Sequence, residues 1–245
     1  MKTKFFEKLL NLFFPQNLKC IFCGEDIPDY DNDPLCDDCK KSIDIFNDSK
    51  NRCKVCDQPI YGESEYCENC KSHTKSFDKA TAPFIYVGKV RSSILKFKSN
   101  NARYLALPMA KLMINRLKSK DMLDFDIIIP VPSSEKTKKQ RGYNQAELLA
   151  NEIGKNLERP VLSDILIKTK ETKHQKELGF IERQENLISA FELKDKKNIK
   201  NKNVLIVDDI LTTCATANSC AKLLRKYANK IYVVAFARNL PKTKK

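Results

Sequence analysis

From residue 84 onward, short apolar runs alternate with segments whose apolar residues recur every three or four positions. Residues 84–87, 126–131, 204–207 and 231–236 are runs rich in branched aliphatics and aromatics, the pattern of strands buried on both faces. Residues 161–162 and 165–167 suggest one further, irregular strand. Between these runs the period changes. Ile94, Leu95, Leu105, Leu107, Leu112, Met113 and Leu117 predict two helices over 91–119, broken near Asn100-Asn101. Ala146, Leu149, Ala150, Ile153 and Leu157 predict another, and Ala217, Cys220, Ala221 and Leu224 a last one. Strand and helix in alternation imply an α/β domain with a mainly parallel sheet, which binds ligands at the carboxyl ends of its strands.

The first eighty residues read differently. Phe5, Phe6, Leu9, Leu10 and Phe13 have helical spacing, and Pro15 stops them. They predict a short docking helix over 1–17. Aliphatics then thin out, and cysteines take over. The expected organisation is therefore a helix (1–17), a small cysteine module (18–78) and the α/β domain (79–245). No run of eighteen apolar residues occurs, so no membrane span is expected. Glu7, Lys8 and Asn11 interrupt the N-terminal apolar stretch, which argues against a secretory signal and for a cytoplasmic protein.

Eight of the ten cysteines form four C-x-x-C pairs: Cys20/Cys23, Cys36/Cys39, Cys53/Cys56 and Cys67/Cys70. Each pair makes a tight knuckle that aims two thiolates at one ion, and a tetrahedral Zn²⁺ takes two knuckles. Two Cys₄ sites use all eight thiols. A disulfide framework would need an oxidising compartment, and a redox motif would come as one pair. Iron–sulfur ligation fits evenly spaced pairs less well than zinc. Two structural Zn²⁺ ions are expected, because four protein ligands leave no open position for chemistry. Pairing in sequence order closes the shorter loops, and a cross-braced pairing remains open.

Charge follows the same division. The net charge is +14, made of −3 in residues 1–80 and +17 in residues 81–245. The basic excess suggests an anionic partner for the second part. Two Zn²⁺-tetrathiolate sites would make the first part more negative still, so the halves are expected to attract each other.

The most specific pattern is Val204-Leu205-Ile206-Val207-Asp208-Asp209-Ile210-Leu211-Thr212-Thr213-Cys214-Ala215-Thr216-Ala217. A buried strand delivers two adjacent carboxylates, a hydroxyl-rich turn follows, and a helix begins. Backbone N–H groups, threonine hydroxyls and the helix N-terminus together make a phosphate cradle. The carboxylates can accept hydrogen bonds from sugar hydroxyls or hold a hydrated Mg²⁺. No Gly-x-x-x-x-Gly-Lys-Ser/Thr loop is present for a nucleoside triphosphate.

These residues resemble the phosphoribosyl-diphosphate (PRPP) motif of type I phosphoribosyltransferases, and nearly the whole chain resembles the ComF family, which joins a double zinc ribbon to a type I phosphoribosyltransferase-like domain. The resemblance also rests on Tyr86-x-Gly88-x-x-Arg91…Ile94-x-x-Phe97-Lys98, on Pro130-Val131-Pro132…Arg141-Gly142-Tyr143-Asn144-Gln145-Ala146, and on Thr172-x-x-Gln175-x-x-Leu178…Arg183-x-x-Asn186…Ala190-Phe191. It implies that Asp208 and Asp209 bind the PRPP ribose, with Mg²⁺. It implies a 5′-phosphate on Leu211, Thr212, Thr213, Cys214, Ala215 and Thr216, and a diphosphate loop after Pro132 whose local groups are Lys138, Lys139, Arg141 and Gly142. Gln175 and Arg183 would lie in a hood over the site. Family members carry glycine where this chain has Cys214, and a cysteine there is expected to resist a positive φ or crowd the anion.

Two functions follow from the resemblance. The first is a competence protein that handles incoming single-stranded DNA in natural transformation, with PRPP-like ligand binding retained. Its partners would include a competence helicase and DNA-processing proteins. Tyr86, Phe97 and Tyr143, close to basic residues, are candidates for stacking on bases. The second is an active phosphoribosyltransferase that transfers phosphoribosyl to a nitrogen nucleophile. Cys220, on an apolar helical face, is expected in the core.

Overall fold

The computed structural model describes residues 19–27, 33–47, 51–60, 62–99, 102–169 and 190–240. The expected N-terminal helix and the hood residues Gln175 and Arg183 lie outside them. In chain order the elements are α1 (Asp37–Asn47), α2 (Glu68–Ser72), β1 (Lys79–Thr81), β2 (Phe84–Ile85), α3 (Gly88–Phe97), α4 (Ala106–Ser119) and β3 (Ile127–Pro130). Next come α5 (Glu135–Arg141), α6 (Gln145–Leu157), β4 (Leu166–Lys168), β5 (Phe191–Leu193), β6 (Val204–Leu211), α7 (Ala215–Leu224) and β7 (Ile231–Arg238).

The main sheet runs β1-β7-β6-β3, with β2 beside the far end of β7, and every pairing is parallel. Val161 extends it by a single parallel bridge to Ile128. The expected irregular strand is split between that bridge and β4, which forms a separate antiparallel hairpin with β5.

The central strands are apolar at successive positions because both faces are covered. Leu205, Val207, Tyr232, Val234 and Phe236 face one core, filled by Ile94 and Phe97 of α3, Met109 and Met113 of α4, and Leu149 and Ile153 of α6. Val204, Ile206, Ile231, Val233 and Ala235 face the other, filled by Ala217, Cys220 and Leu224 of α7 and by the β4–β5 hairpin. Cys220 is fully buried there, as its helical face predicted.

The cysteine module divides between these cores. Cys20, Ile27, Leu35 and Cys39 join the first, and Cys53, Cys56 and Cys67 join the second. Between them lies the edge strand β1–β2. The Ala80 N–H donates to the Val55 carbonyl at 2.7 Å, so the second half of the module caps an edge that would otherwise present unpaired backbone.

Candidate functional site

Strand β6 does not end at Val207. It continues to Leu211, so Asp208 and Asp209 sit inside the strand, paired along β7 as far as Arg238. The apolar pattern marked only the buried half, because the carboxylates interrupt hydrophobicity without interrupting the ladder. Side chains alternate across a strand, so these two carboxylates leave from opposite faces. The Asp209 N–H donates to Asp208 Oδ1 at 2.8 Å. The Asp209 Oδ2 atom is 2.8 Å from Lys98 Nζ, and both side chains are mostly shielded, at 16% and 24% exposure. Burial, and then the neighbouring Asp209 charge, push the Asp208 carboxyl well above the usual aspartate range.

After Leu211 the chain turns. Thr212 and Thr213 are exposed, and Ala215 and Thr216 are half-buried in the first turn of α7. Cys214 is the N-cap residue, at φ +62°, and no side chain caps the helix. The chain therefore does adopt the left-handed conformation that a glycine would take freely, at a cost of about 1–2 kcal/mol. Its sulfur does not stand exposed on the loop. Cys214 is 3% exposed and lies 3.5 Å from Arg238 Nη2. The thiol is pushed up by its hydrogen bond with Cys56, and further by burial. Asn69 Nδ2 donates to the Thr213 carbonyl at 3.1 Å, so α2 supports the loop from a second side.

The segment expected as a diphosphate loop contains a helix. Ser134 caps α5 by accepting from the Thr137 N–H, and Gly142 ends it at φ +73°. Lys138 and Lys139 are exposed on α5, while Arg141 Nη1 donates to Gln145 Oε1 at 3.2 Å. The cation paired with Asp209 is instead Lys98, which closes the family-like motif from Tyr86 to Lys98 but to which the resemblance assigns no role at the site. Its placement has a visible cause. Tyr143 Oη meets the carbonyls of Phe97 (2.7 Å) and Ser99 (2.5 Å), clamping the residues on either side of Lys98. Asn144 Nδ2 donates to the Val131 carbonyl at 3.0 Å and its Oδ1 caps α6, which ties the end of β3 to the next helix. The Tyr143-Asn144 part of the motif is thus a brace. Phe97 and Tyr143 are 0% and 8% exposed and Tyr86 is half-buried, so the first two cannot stack on bases.

The eight paired cysteines gather as two tetrads in sequence order, Cys20/Cys23/Cys36/Cys39 and Cys53/Cys56/Cys67/Cys70. Within each, all sulfurs lie within 4.8 Å of one another. This settles the pairing as sequential. Burial raises the Cys20 thiol, but backbone groups of Cys36, Cys23 and Phe22 outweigh it and bring it down to about 7. Cys53 is brought to about 7 in the same way by Cys56, Cys67 and Val55. Cys39 is pushed up instead, by burial and by its neighbouring thiols. One thiol supported by amides in each tetrad, and four sulfurs clustered within reach of one ion, fit a tetrahedral Zn²⁺.

One of the contacts between the two halves of the molecule is a buried carboxylate. Asp57, 7% exposed, receives Arg116 Nη2 of α4 at 2.6 Å, Lys120 Nζ from the C-cap of the same helix at 3.0 Å, and Thr81 Oγ1 at 2.5 Å. Arg52 Nη1 stands 3.6 Å away. Burial raises the Asp57 carboxyl, but these partners overcome it and hold it below the usual range. The charge complementarity expected between the halves is thus carried by Asp57 and by Asp78, whose Oδ2 lies 2.7 Å from Arg225 Nη2. A second buried ion, Arg238 at the end of β7, donates through Nη2 to the Cys56 carbonyl. Neither residue could be found by spacing, since each is defined by partners distant in sequence.

A double zinc ribbon domain family matches residues 9–71. Competence protein F of Haemophilus influenzae is 32% identical over 236 residues, covering 94% of this chain and 100% of that protein. The DNA utilization protein YhgH of Escherichia coli is 24% identical over 211 residues, or 84% of this chain and 91% of its own. Among solved structures, an adenine phosphoribosyltransferase of Saccharomyces cerevisiae is similar at a TM-score of 0.34 and 16% identity, over 54% of this chain and 69% of that one. With two cysteine tetrads, a parallel sheet carrying an acid pair before a turn and helix, and a full-length relative at this identity, the chain belongs to the ComF family of competence proteins.

Proposed function

We propose that this protein handles incoming single-stranded DNA in natural transformation and that its α/β domain binds PRPP or a similar ribose phosphate at the end of β6. The observation that carries the reading is the pair Asp208/Asp209 in the last part of β6, followed by the short turn 212–214 and the N-terminus of α7, which no side chain caps, at the carboxyl end of a parallel sheet. Relatives named for competence and DNA utilization give that site its biological setting.

In this reading the ribose 2′- and 3′-hydroxyls donate to the carboxylates. A neutral diol suits the pair, because Asp208 resists ionisation and Asp209 already has Lys98. A Mg²⁺ entering with the diphosphate would draw Asp208 back to its charged form. The 5′-phosphate sits on Thr212, Thr213, Cys214, Ala215 and Thr216, beyond Leu211, which anchors the loop in the core. Lys138, Lys139 and Arg141 supply cations for the diphosphate once α5 and Gly142 adjust around it, and Gln175 and Arg183 cover the ligand. The DNA-handling role is cytoplasmic and brings a competence helicase and DNA-processing proteins as partners. No helix among the described residues is long and apolar enough to cross a membrane.

PRPP with Mg²⁺ should raise the melting temperature, and Asp208→Ala with Asp209→Ala should abolish the rise. Equal stabilisation of the double variant would remove the site. Single-stranded DNA should bind with a steep salt dependence, and salt-indifferent affinity would count against electrostatic binding. Incubation with PRPP and nucleobases, followed by product analysis, separates ligand binding from phosphoribosyl transfer.

A further inference from the structure

We propose that the two clefts meeting at Tyr104 form the groove in which a single nucleic-acid strand lies, with Tyr104 as the stacking platform. This deepens the DNA-handling role proposed above and rests on it. It does not depend on the ribose-phosphate site.

Two aromatic side chains stand out as exposed among the described residues, Tyr66 at 41% and Tyr104 at 49%. Their surroundings separate them. Tyr66 sits in an acidic stretch, between Glu65, which pairs with Lys54, and Glu68, which pairs with Lys71. Tyr104 sits among cations. Lys96 Nζ lies 5.6 Å from its ring centroid, and Arg103 precedes it.

The Tyr104 ring is exposed on a fixed support. It belongs to the short 3₁₀ turn Arg103–Leu105, flanked by Ala102 and Leu105, which are 2% and 3% exposed. Arg103 is fixed as well: it donates to the Gly142 carbonyl at 2.9 Å, and its guanidinium lies 4.8 Å from the Tyr143 ring centroid. An aromatic face held out by a rigid turn loses little freedom when a base stacks on it.

Tyr104 lines two clefts at once. One, of about 590 Å³, lies between the first zinc knuckle and α3–α4, and includes Lys19, Lys96 and Asp26. The other, of about 700 Å³, lies between α4 and α6, and includes Arg103, Lys111, Lys155 and Glu152. The joined groove thus carries five cations against two carboxylates, with an aromatic ring at its centre. A third cleft, of about 300 Å³, begins at Gly142, where Arg103 ends, and reaches Lys138 on α5. Cations along a continuous path track phosphates, and a ring among them takes an unpaired base. A duplex keeps its bases stacked and cannot use the ring, so the groove suits single strands.

The test uses the full-length zinc-loaded protein and a fluorescent oligothymidylate, with a duplex of equal length for comparison. Tyr104→Ala should weaken single-strand binding about tenfold. Tyr104→Phe should keep it, and Tyr66→Ala should leave it unchanged. Lys96→Gln with Lys155→Gln should lower affinity and flatten the dependence of log K on log salt by about 0.7 per lysine. All four sites are on the surface, and unchanged melting temperatures verify folding. If wild type binds the single strand while Tyr104→Ala and the lysine variant bind equally well, the groove is wrong and the DNA-handling role stands. If wild type binds no single strand, the DNA-handling role fails and takes the groove with it.

Discussion

The leading knuckles of the two zinc ribbons share one sequence plan but have different roles. In the first, Cys20-x-x-Cys23 is followed by Gly24 at φ +79°; in the second, Cys53-x-x-Cys56 is followed by Asp57 at φ +56°. Both turns close with the same bond, from the N–H of the residue after the pair to the carbonyl of its first cysteine. A positive φ is easy for glycine and costs an aspartate about 1 kcal/mol or more. The second knuckle bears that cost because only a side chain at this corner can reach Arg116 and Lys120. The first knuckle docks by apolar contact instead: Phe22 meets Phe84 edge-on at 5.3 Å, and Ser93 Oγ donates to the Ile21 carbonyl. The second also touches the loop proposed to hold the phosphate, through Asn69 on Thr213 and through Cys56 and Arg238 around Cys214. One ribbon is a clasp, and the other supports the loop after β6.

The largest test of this contrast is metal loss. Structural zinc contributes roughly 10–16 kcal/mol in zinc-finger peptides. Cys36→Ser and Cys67→Ser should each leave one zinc per chain by metal analysis. Only Cys67→Ser should also lose the rise in melting temperature on adding ribose 5-phosphate. Identical ligand responses in the two variants would dissolve the distinction between the ribbons.

The next effect concerns the corner residues. Asp57→Ala strands buried cations and should cost about 3–5 kcal/mol in urea unfolding. Asp57→Gly should recover about 1 kcal/mol of that by relaxing φ. Gly24→Ala, with nothing within 4 Å of the added carbon, should cost only its backbone strain, about 1–2 kcal/mol. Comparable losses at Gly24 and Asp57 would mean that the carboxylate is no anchor.

A smaller effect is expected at Asp208. Its carboxyl ionises near pH 4 when unfolded and higher when folded, so the folded state binds more protons between those values. Stability from this group must therefore fall as pH rises from about 4 through the folded value. Asp208→Asn should remove that slope and gain about 0.5–2 kcal/mol at neutral pH, at the expense of ribose-phosphate binding. A wild-type stability profile that this variant does not change would show that Asp208 titrates normally. The smallest effect is Asn69→Ala. Losing one hydrogen bond to the loop should cost about 1 kcal/mol and weaken ribose 5-phosphate roughly fivefold by calorimetry, whereas removing the Ser93 hydroxyl beside the first knuckle should leave that affinity unchanged.

Much of this architecture was legible because it depends on local repetition. Four C-x-x-C pairs at short spacing identify eight ligands without any coordinates. Apolar runs at 126–131, 204–207 and 231–236 locate the central strands, and the acids at 208 and 209 mark the proposed site. Other features were hidden because their meaning lies in a distant partner. Lys98 stands in a recognisable motif, but its pairing with Asp209 is invisible until Tyr143 clamps the carbonyls on both sides of it. Tyr143 and Phe97 read as aromatics near cations, and packing puts them inside. Tyr104 has no helical or strand period to mark it, and its exposure comes from the burial of its neighbours.

The sequence alone determined the chemistry available here: eight thiols in ligand spacing, an acid pair after an apolar run, a threonine-rich turn, and a basic second half beside an acidic first. Tertiary structure decided which of these groups meet. It set the ribbons on opposite faces of the sheet, gave Asp57 three cations, gave Asp209 its lysine, and turned Cys214 inward against the second ribbon. Composition and spacing follow from the covalent chain, whereas burial and pairing of a charge depend on surfaces that exist only after the chain has closed on itself.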